Sequence, residues 1–548
     1  MNNKYTNLIK KILNNGQPDI SVVIPFHNVE LYIADCLDSL LRQKGVSIEV
    51  ILINDGSTDG TENIVREYMK THGNMRLYRI DQNGPGYARN YGVQFARGKY
   101  IAFLDADDKL VRGIYKRMLH AAENNKAEVC ICNAARFNSK RVWSSDLHEK
   151  VYRDYKVSTH ITESPSLIYD TTSWNKLINR EFYQKNGIQF PEHVVYEDIL
   201  ANLDIHLKCN KVIMLAETGY LWRQREEGEN ASLTQAFFSD ANIHDRMLAA
   251  EGLVKCFKNG DLPKELTEEI QYKLLETDLR IVLHAVEHMS DEQASMLLEQ
   301  VNTFVEENID SSVIESLSIA DMQMYDYARK RDIEGLRKLI DYRRNNYKNA
   351  PVSEQNGVLY ASVPEEIIKV NKRTVNDDFA RIPRRTKIKE IRRTEDKLEV
   401  DAHIFVPRYN VSESGNQTVK VLLVNEETGQ IIEIASQEKE THYLTEEYGE
   451  VFDEVTGVTK NYNYDWAGFT FCIDKDLIGR QKQKTTKYSV IIQYKDRLFC
   501  GQQILRGVEY SKIKEYGAYQ IKKNNQVIQL KFGARRELQI IVKKSNND

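Results

Sequence analysis

Residues 21–25, Ser-Val-Val-Ile-Pro, form a short apolar run that reads as a buried strand closed by Pro25, which cannot donate to a ladder. Ile33, Cys36, Leu37, Leu40 and Leu41 follow at i, i+3, i+4, i+7 and i+8, the period of an amphipathic helix. A second strand, Ile48–Ile53, ends in Asn54-Asp55-Gly56-Ser57-Thr58-Asp59. Gly56 and Ser57 make the turn, and Asp59 is placed to cap a helix through Ile64, Val65 and Tyr68. A third strand, Met75–Ile80, leads through Asn83-Gly84-Pro85-Gly86 into a helix carrying Arg89 and Asn90. Tyr100–Leu104 is a fourth strand. The order β-α-β-α-β-α-β predicts a parallel sheet with helices on both faces and polar residues gathered at the strand ends.

The fourth strand ends in Asp105-Ala106-Asp107-Asp108. Carboxylates there sit at the carboxyl edge of the sheet, where α/β folds bind ligands. Asp105 and Asp107, two apart, project to one side and can approach a hard cation, which keeps waters and bridges to phosphates. The competing reading is a solvated acidic turn. Gly84-Pro85-Gly86-Tyr87-Ala88-Arg89 is not a dinucleotide fingerprint, because the third glycine is missing and the cluster follows the third strand, not the first. It fits a turn that lets backbone approach a nucleotide.

Taken in order, SVVIPFHN, VILINDGSTDGT and NGPGYARNYGVQFARGKYIAFLDADD resemble the nucleotide-sugar half of family 2 glycosyltransferases of the GT-A fold, over about residues 20–235. The resemblance implies inverting transfer of a sugar from a nucleotide diphosphate with a divalent cation, Mg²⁺ or Mn²⁺. It implies donor roles for Pro25 and Asn28 at the nucleotide pocket, Asp55 at a uracil base, Arg89 near the base or diphosphate, and Asp105, with Ala106, at the ribose or sugar. It implies Asp107 as the metal ligand.

A base comes from further along, where Phe190-Pro191-Glu192-His193-Val194-Val195-Tyr196 leads into Glu197-Asp198. A carboxylate within reach of the acceptor hydroxyl takes its proton as it attacks. In the family the second acid of such a pair is the base, which points to Asp198, with Glu197 beside the acceptor. The pair also suits a helix N-terminus through its dipole. Trp174 offers an apolar face to a sugar ring, or packs in the core. The segment Tyr220–Ser232, after a strand Val212–Leu215, holds Arg223 and Arg225, which can neutralise a departing diphosphate or form a solvated loop. Many relatives carry a His near position 230; here it is Asn230, leaving Asp107, diphosphate oxygens and water as the expected metal shell.

At 548 residues the chain needs more than one core. A net charge of −4 gives no global basic field for nucleic acid. No run of eighteen apolar residues exists, and the N-terminus lacks a signal-peptide core. Residues 4–13 form a short basic amphipathic stretch suited to peripheral membrane contact or to packing on the domain. Seven scattered cysteines, an odd count, suggest a reducing compartment, and Cys130-Ile131-Cys132 has no second pair to complete a zinc site. Asn230-Ala231-Ser232 matches a glycosylation sequon that a cytoplasmic chain would not use.

From 236 to 350 the apolar spacing is helical, as in Met247–Val254, Tyr272–Leu283, Asp291–Leu298 and Tyr325–Lys330. Beyond Pro351 it alternates, in Leu398–Val406, Val419–Val424, Gly468–Ile473 and Lys487–Tyr494, which predicts a β-sandwich. The expected division is a GT-A catalytic domain over 1–235, a helical linker subdomain over 236–350 and a β-sandwich over 351–548. This architecture resembles bacterial wall teichoic acid and cell-wall polysaccharide glycosyltransferases. That implies a UDP-sugar donor, a polyol-phosphate or glycan acceptor, polymer binding or trimeric homo-oligomerisation through the β-region, and a cytoplasmic place at the inner membrane face. The alternatives are a protein or peptide glycosyltransferase, or an inactive carbohydrate-binding scaffold. Intact Asp55, Asp105, Asp107 and Asp198 argue against the scaffold.

Overall fold

The computed structural model describes residues 16–153, 155–226, 238–370, 374, 375, 379, 384–474, 485–523 and 526–544. The segment 4–13 and the sequon at Asn230 lie outside the described residues. Two compact units emerge: Met1–Thr234 with Glu426–Gly429, and Gln235–Asn425 with Gln430–Asp548.

The strands of the first unit are β1 (Ile20–Phe26), β2 (Ile48–Asp55), β3 (Met75–Ile80), β4 (Tyr100–Phe103), β5 (Lys109–Leu110), β6 (Val129–Phe137), β7 (Val142–Ser144), β8 (Ser158–Thr159), β9 (Lys176–Asn179) and β10 (Val212–Arg223). They form one sheet in the order β3-β2-β1-β4-β9-β6-β10-β5, with β7 paired to β6 and β8 to β10. The first four are parallel, with Val22 between Val50 and Ala102. Helices cover both faces, which is why β1 and β2 read as nearly unbroken apolar runs. Val22 and Ile24 join a core with Ile33, Cys36, Leu37 and Leu40 of the helix Ile33–Leu41. On the other face the helix Pro85–Val93 lies against Val23 and Ile53 at Gly92, whose missing Cβ would sit 3.2 Å from Ile53 Cγ1.

Three expectations change. The strand does not stop at Pro25; β1 runs on to Phe26. Val23 accepts from Leu104 N at 3.1 Å, and β4 ends there. The missing Pro25 donor therefore faces the side where no strand continues, and costs no ladder bond. The sheet is mixed: β9 enters antiparallel between β4 and β6, and β5 is antiparallel to β10. Finally, the helix Thr61–Thr71 has Gly60 as its N-cap. Asp59 instead accepts from Thr61 N at 3.0 Å and Thr61 Oγ1 at 2.6 Å.

The second unit holds the helices Asp240–Asn259, Lys264–Lys273, Asp291–Asn308, Ile319–Lys330 and Ile333–Asn345, the third opened by a Ser290–Gln293 capping box. Its strands make two larger antiparallel sheets. One orders Arg385–Arg393, Lys397–Phe405, Gly468–Asp474 and Ser436–Lys439. The other has seven strands, including Gln417–Asn425, Thr485–Asp496 and Leu538–Lys544. Val400 and Phe471 of one sheet share a core with Val421, Tyr488 and Ile540 of the other, the packing of a sandwich. Helices and sheets meet within this unit: Arg408 donates to Ala350 O at 2.7 Å and Tyr327 to Ile367 O at 2.8 Å. Among the described residues no helix is long and apolar enough to cross a membrane.

Candidate active site

The strand ends β1, β2 and β4 and the start of the helix Glu197–Lys208 carry the predicted residues. Asp55, at the end of β2, is buried, and its two oxygens accept from Asn83 N at 2.7 Å and Gly84 N at 2.8 Å. It fixes the turn before the helix Pro85–Val93. Asn28 has a left-handed φ of 49°, and its Oδ1 accepts from Thr58 N at 2.8 Å, so it ties the β1 loop to the β2 loop. Pro25 is half-buried beside this loop pair.

Arg89 is the centre of the site. It donates to Asp105 Oδ1 at 2.8 Å and also bonds Glu197 Oε1, a residue 108 positions later. Its side chain is only 6% exposed, so it joins the strand-end carboxylate to the helix that opens with Glu197-Asp198. Gly86 makes this junction possible. A Cβ there would run into the Pro191 carbonyl and lie 3.2 Å from Glu197 Cβ. The glycine thus admits the segment before Glu197, where the sequence suggested nucleotide approach. Asn90 completes the contact, donating to Phe190 O at 2.9 Å and accepting from Phe190 N at 2.9 Å.

Burial pushes Asp105 above the usual carboxylate range, Arg89 pulls it back and Asp107 adds to the rise. Burial likewise pushes the Asp198 carboxyl up to about 6, with Arg89 opposing and Asp105 adding to it. Asp198 is half-buried at the first turn of its helix. A cluster that the motifs did not reveal lies behind it. Lys176 of β9 and His206 contact Asp170 Oδ2 at 2.7 and 2.9 Å, all three side chains being at most 1% exposed. Lys176 is close enough to Asp198 to pull its carboxyl down.

Asp107 is one-fifth exposed, and its Oδ2 accepts from Arg225 at 2.8 Å. Arg223 donates through Nε to Asp107 O at 2.5 Å and through Nη2 to Asp35 Oδ2 at 3.2 Å. Both arginines lie over the Tyr32 ring, at 4.9 and 5.0 Å. Arg223 therefore belongs to the last turn of pleat of β10, not to a solvated loop, because β10 continues past Leu215 through two register shifts. Asp108, passed over in the motif, holds this arrangement. It is 1% exposed and accepts from Tyr220 Oη at 2.8 Å and Arg223 N at 2.7 Å. Ala106 is buried.

Two acceptor-side expectations are corrected. Trp174 is 3% exposed and stacks at 3.9 Å on Tyr220, with His148 at 5.3 Å, so its faces are filled by protein and it is a core residue. Glu197 is buried against Arg89, which makes it a positioning group. Trp222, half-buried under the Arg136 guanidinium at 3.2 Å, is the tryptophan nearer the surface.

Residues 21–187 match the family model described as glycosyl transferase family 2. The chain is 30% identical over 275 residues to the protein named "Putative glycosyltransferase EpsH" of Bacillus subtilis (strain 168), covering 49% of this chain and 75% of that one. The chain belongs to glycosyl transferase family 2. This family 2 glycosyltransferase is also 25% identical over 371 residues to the poly(ribitol-phosphate) beta-glucosyltransferase of Bacillus spizizenii (strain ATCC 23059 / NRRL B-14472 / W23), covering 64% of this chain and 56% of that protein. It spans 61% of the uncharacterized glycosyltransferase EpsJ of Bacillus subtilis (strain 168), so several curated relatives extend well beyond the match. Among solved structures, S. aureus TarS 1-349 in complex with UDP-GlcNAc matches with a TM-score of 0.50 at 21% identity, over 63% of this chain and 97% of that one. That likeness is one of fold, the α/β GT-A arrangement.

Proposed function

We propose that this glycosyltransferase moves a sugar, with inversion, from a UDP-sugar to a hydroxyl of an anionic cell-wall polymer such as a polyol phosphate. The observation that carries it is the Asp105–Arg89–Glu197 chain, which sets the donor-side strand end against the helix start that bears Asp198. A hydroxyl attacks the anomeric carbon as the bond to UDP breaks, and Asp198 takes the hydroxyl proton. A carboxylate raised to about 6 is charged at neutral pH yet more basic than a free one, as a proton acceptor should be. Arg223 and Arg225 stand beside Asp107, where they oppose the charge that gathers on the departing diphosphate.

Asp107 fits a divalent cation by donor chemistry: a partly exposed carboxylate at the strand edge, with Asp105 two residues away. Among the described residues no group of three ligands surrounds it, so phosphate oxygens and water fill the remainder of a Mg²⁺ or Mn²⁺ shell. Bound there, the cation supplies Lewis-acid stabilisation of the leaving diphosphate. The poly(ribitol-phosphate) relative and the UDP-GlcNAc complex of TarS support the acceptor and donor classes. Residence at the inner membrane face as a homo-oligomer belongs to the same reading.

The test is a panel of UDP-sugars with a synthetic ribitol-phosphate oligomer, reading UDP release and the product's anomeric configuration. Inverted product with metal dependence is expected. No turnover of any UDP-sugar, with or without acceptor, would refute the donor class. Turnover only on peptide acceptors would favour the protein-glycosylating alternative.

A further inference from the structure

The second unit contains a cavity of about 570 Å³, within the range of ligand sites. Arg384, Arg385, Lys387, Arg506 and Arg536 line it, against one carboxylate, Glu509. Five cations facing one acid is an unusual composition for a wall in a chain of net charge −4. The fold assembles it deliberately. Arg385 and Lys387 stand two apart on one strand, opposite Phe405 and His403 of the next, so both project to one side. Gly507 has a φ of +96°, and a Cβ there would come within 2.8 Å of Thr386 O. Only glycine lets the loop carrying Arg506 close against that strand. Arg536, at a left-handed φ of 62°, reaches in from a turn and donates to Val508 O at 3.0 Å.

We infer that this cavity binds a phosphodiester segment of an anionic polyol-phosphate polymer. Guanidinium forks match phosphate oxygens bidentately, and several in one wall suit a repeating anion. Burial, with Lys387 and Lys389 nearby, holds His403 down at about 3, so it contributes a neutral imidazole beneath the cations. Single-stranded nucleic acid is the poorer fit, because it needs open aromatic platforms. Here Phe405 is buried, Tyr448 lies under Arg385 at 5.4 Å, and Tyr510 is left as the exposed ring. The inference rests on the anionic-acceptor reading above, and adds a holding site built from second-unit residues.

The experiment uses the full chain, a ribitol-phosphate octamer, a neutral glucan octamer and a single-stranded oligonucleotide of equal charge. Calorimetry compares the parent with Arg385→Glu/Arg536→Glu, and UDP-sugar hydrolysis checks that the variant is folded and active. The parent should bind the polyol phosphate with salt-dependent affinity, and the variant about tenfold or more weakly, with a shallower salt slope. Hydrolysis should be unchanged. Equal octamer affinity in parent and variant overturns the site. So does neutral glucan, or the oligonucleotide, binding as tightly as the octamer. If the octamer binds through these arginines but is never glycosylated, the acceptor reading fails while the cavity's ligand stands. If it is glycosylated and binding ignores the substitutions, the reverse holds.

Discussion

Asp198→Asn should remove transfer while making the protein more stable. The amide keeps the shape but cannot take the acceptor's proton, and a positioned base contributes about 10²- to 10⁴-fold, or roughly 3–5 kcal/mol of barrier. In the parent, kcat/KM should rise with pH through about 6 and fall about tenfold for each pH unit below it, because Asp198 must be ionised. The stability effect has a definite sign. The folded carboxyl lies at about 6 against an ordinary 3.8, so it is protonated more readily in the folded chain. Its contribution is most favourable below 3.8 and is lost as pH rises through about 6. At pH 7.5 the parent carries the full cost, bounded at about 3 kcal/mol from 1.36 kcal/mol per pH unit. Asp198 is only half-buried, so solvent screens part of this and ~1–2 kcal/mol is expected. Thermal unfolding should then move up by on the order of 2–8 °C, with UDP-sugar affinity within a few-fold of the parent. Transfer at the parental rate would remove Asp198 as the base. A variant less stable than the parent at pH 7.5 would refute the electrostatic account.

Asp107→Asn should lower metal-dependent donor turnover by orders of magnitude with an unchanged circular dichroism spectrum; full activity, or a parent indifferent to chelator, would exclude the metal role. Arg89→Met leaves two buried carboxylates without their shared cation, so urea unfolding should show a loss of about 3–5 kcal/mol. Arg89→Lys should recover only part of it, since one ammonium cannot reproduce the two-pronged contact to Asp105 and Glu197. A chain ending at Ala350 should keep donor hydrolysis but lose mass per particle by light scattering and activity on long acceptors; loss of hydrolysis in a folded truncation would tie the β-region to the transfer site. That truncation also removes the Arg408 contact to Ala350 O, so a lower unfolding temperature is expected.

The elements of the first unit were legible because apolar period and turn residues agree there. Ile33–Leu41 and Met75–Ile80 end where the pattern ends, and the apolar residues of β1 and β2 have helices on both sides. What sequence could not supply is pairing across distance. Arg89 and Glu197 are each visible as candidates, but nothing local says that they touch. Lys176 is the sharpest case: within a four-residue strand it looks like an exposed cation, and it is completely buried because Asp170 and His206 arrive from elsewhere. Trp174 failed for the converse reason, since only the assembled sheet brings Tyr220 onto its face. The basic cavity of the second unit draws on positions from 384 to 536, and no motif joins them.

The division of labour within Asp105-Ala106-Asp107-Asp108 bears on how such enzymes die. The residue that fastens the loop to β10 is Asp108, through Tyr220 and the Arg223 backbone, whereas Asp107 reaches outward to Arg225. Chemistry and architecture are thus assigned to neighbouring carboxylates. A lineage can forfeit Asp107, and with it turnover, yet inherit an undamaged fold. Silent copies of this domain should therefore persist as soluble proteins and be recognised by a kept Asp108 beside a vacated Asp107, while a lesion at Asp108 should be purged as a folding defect.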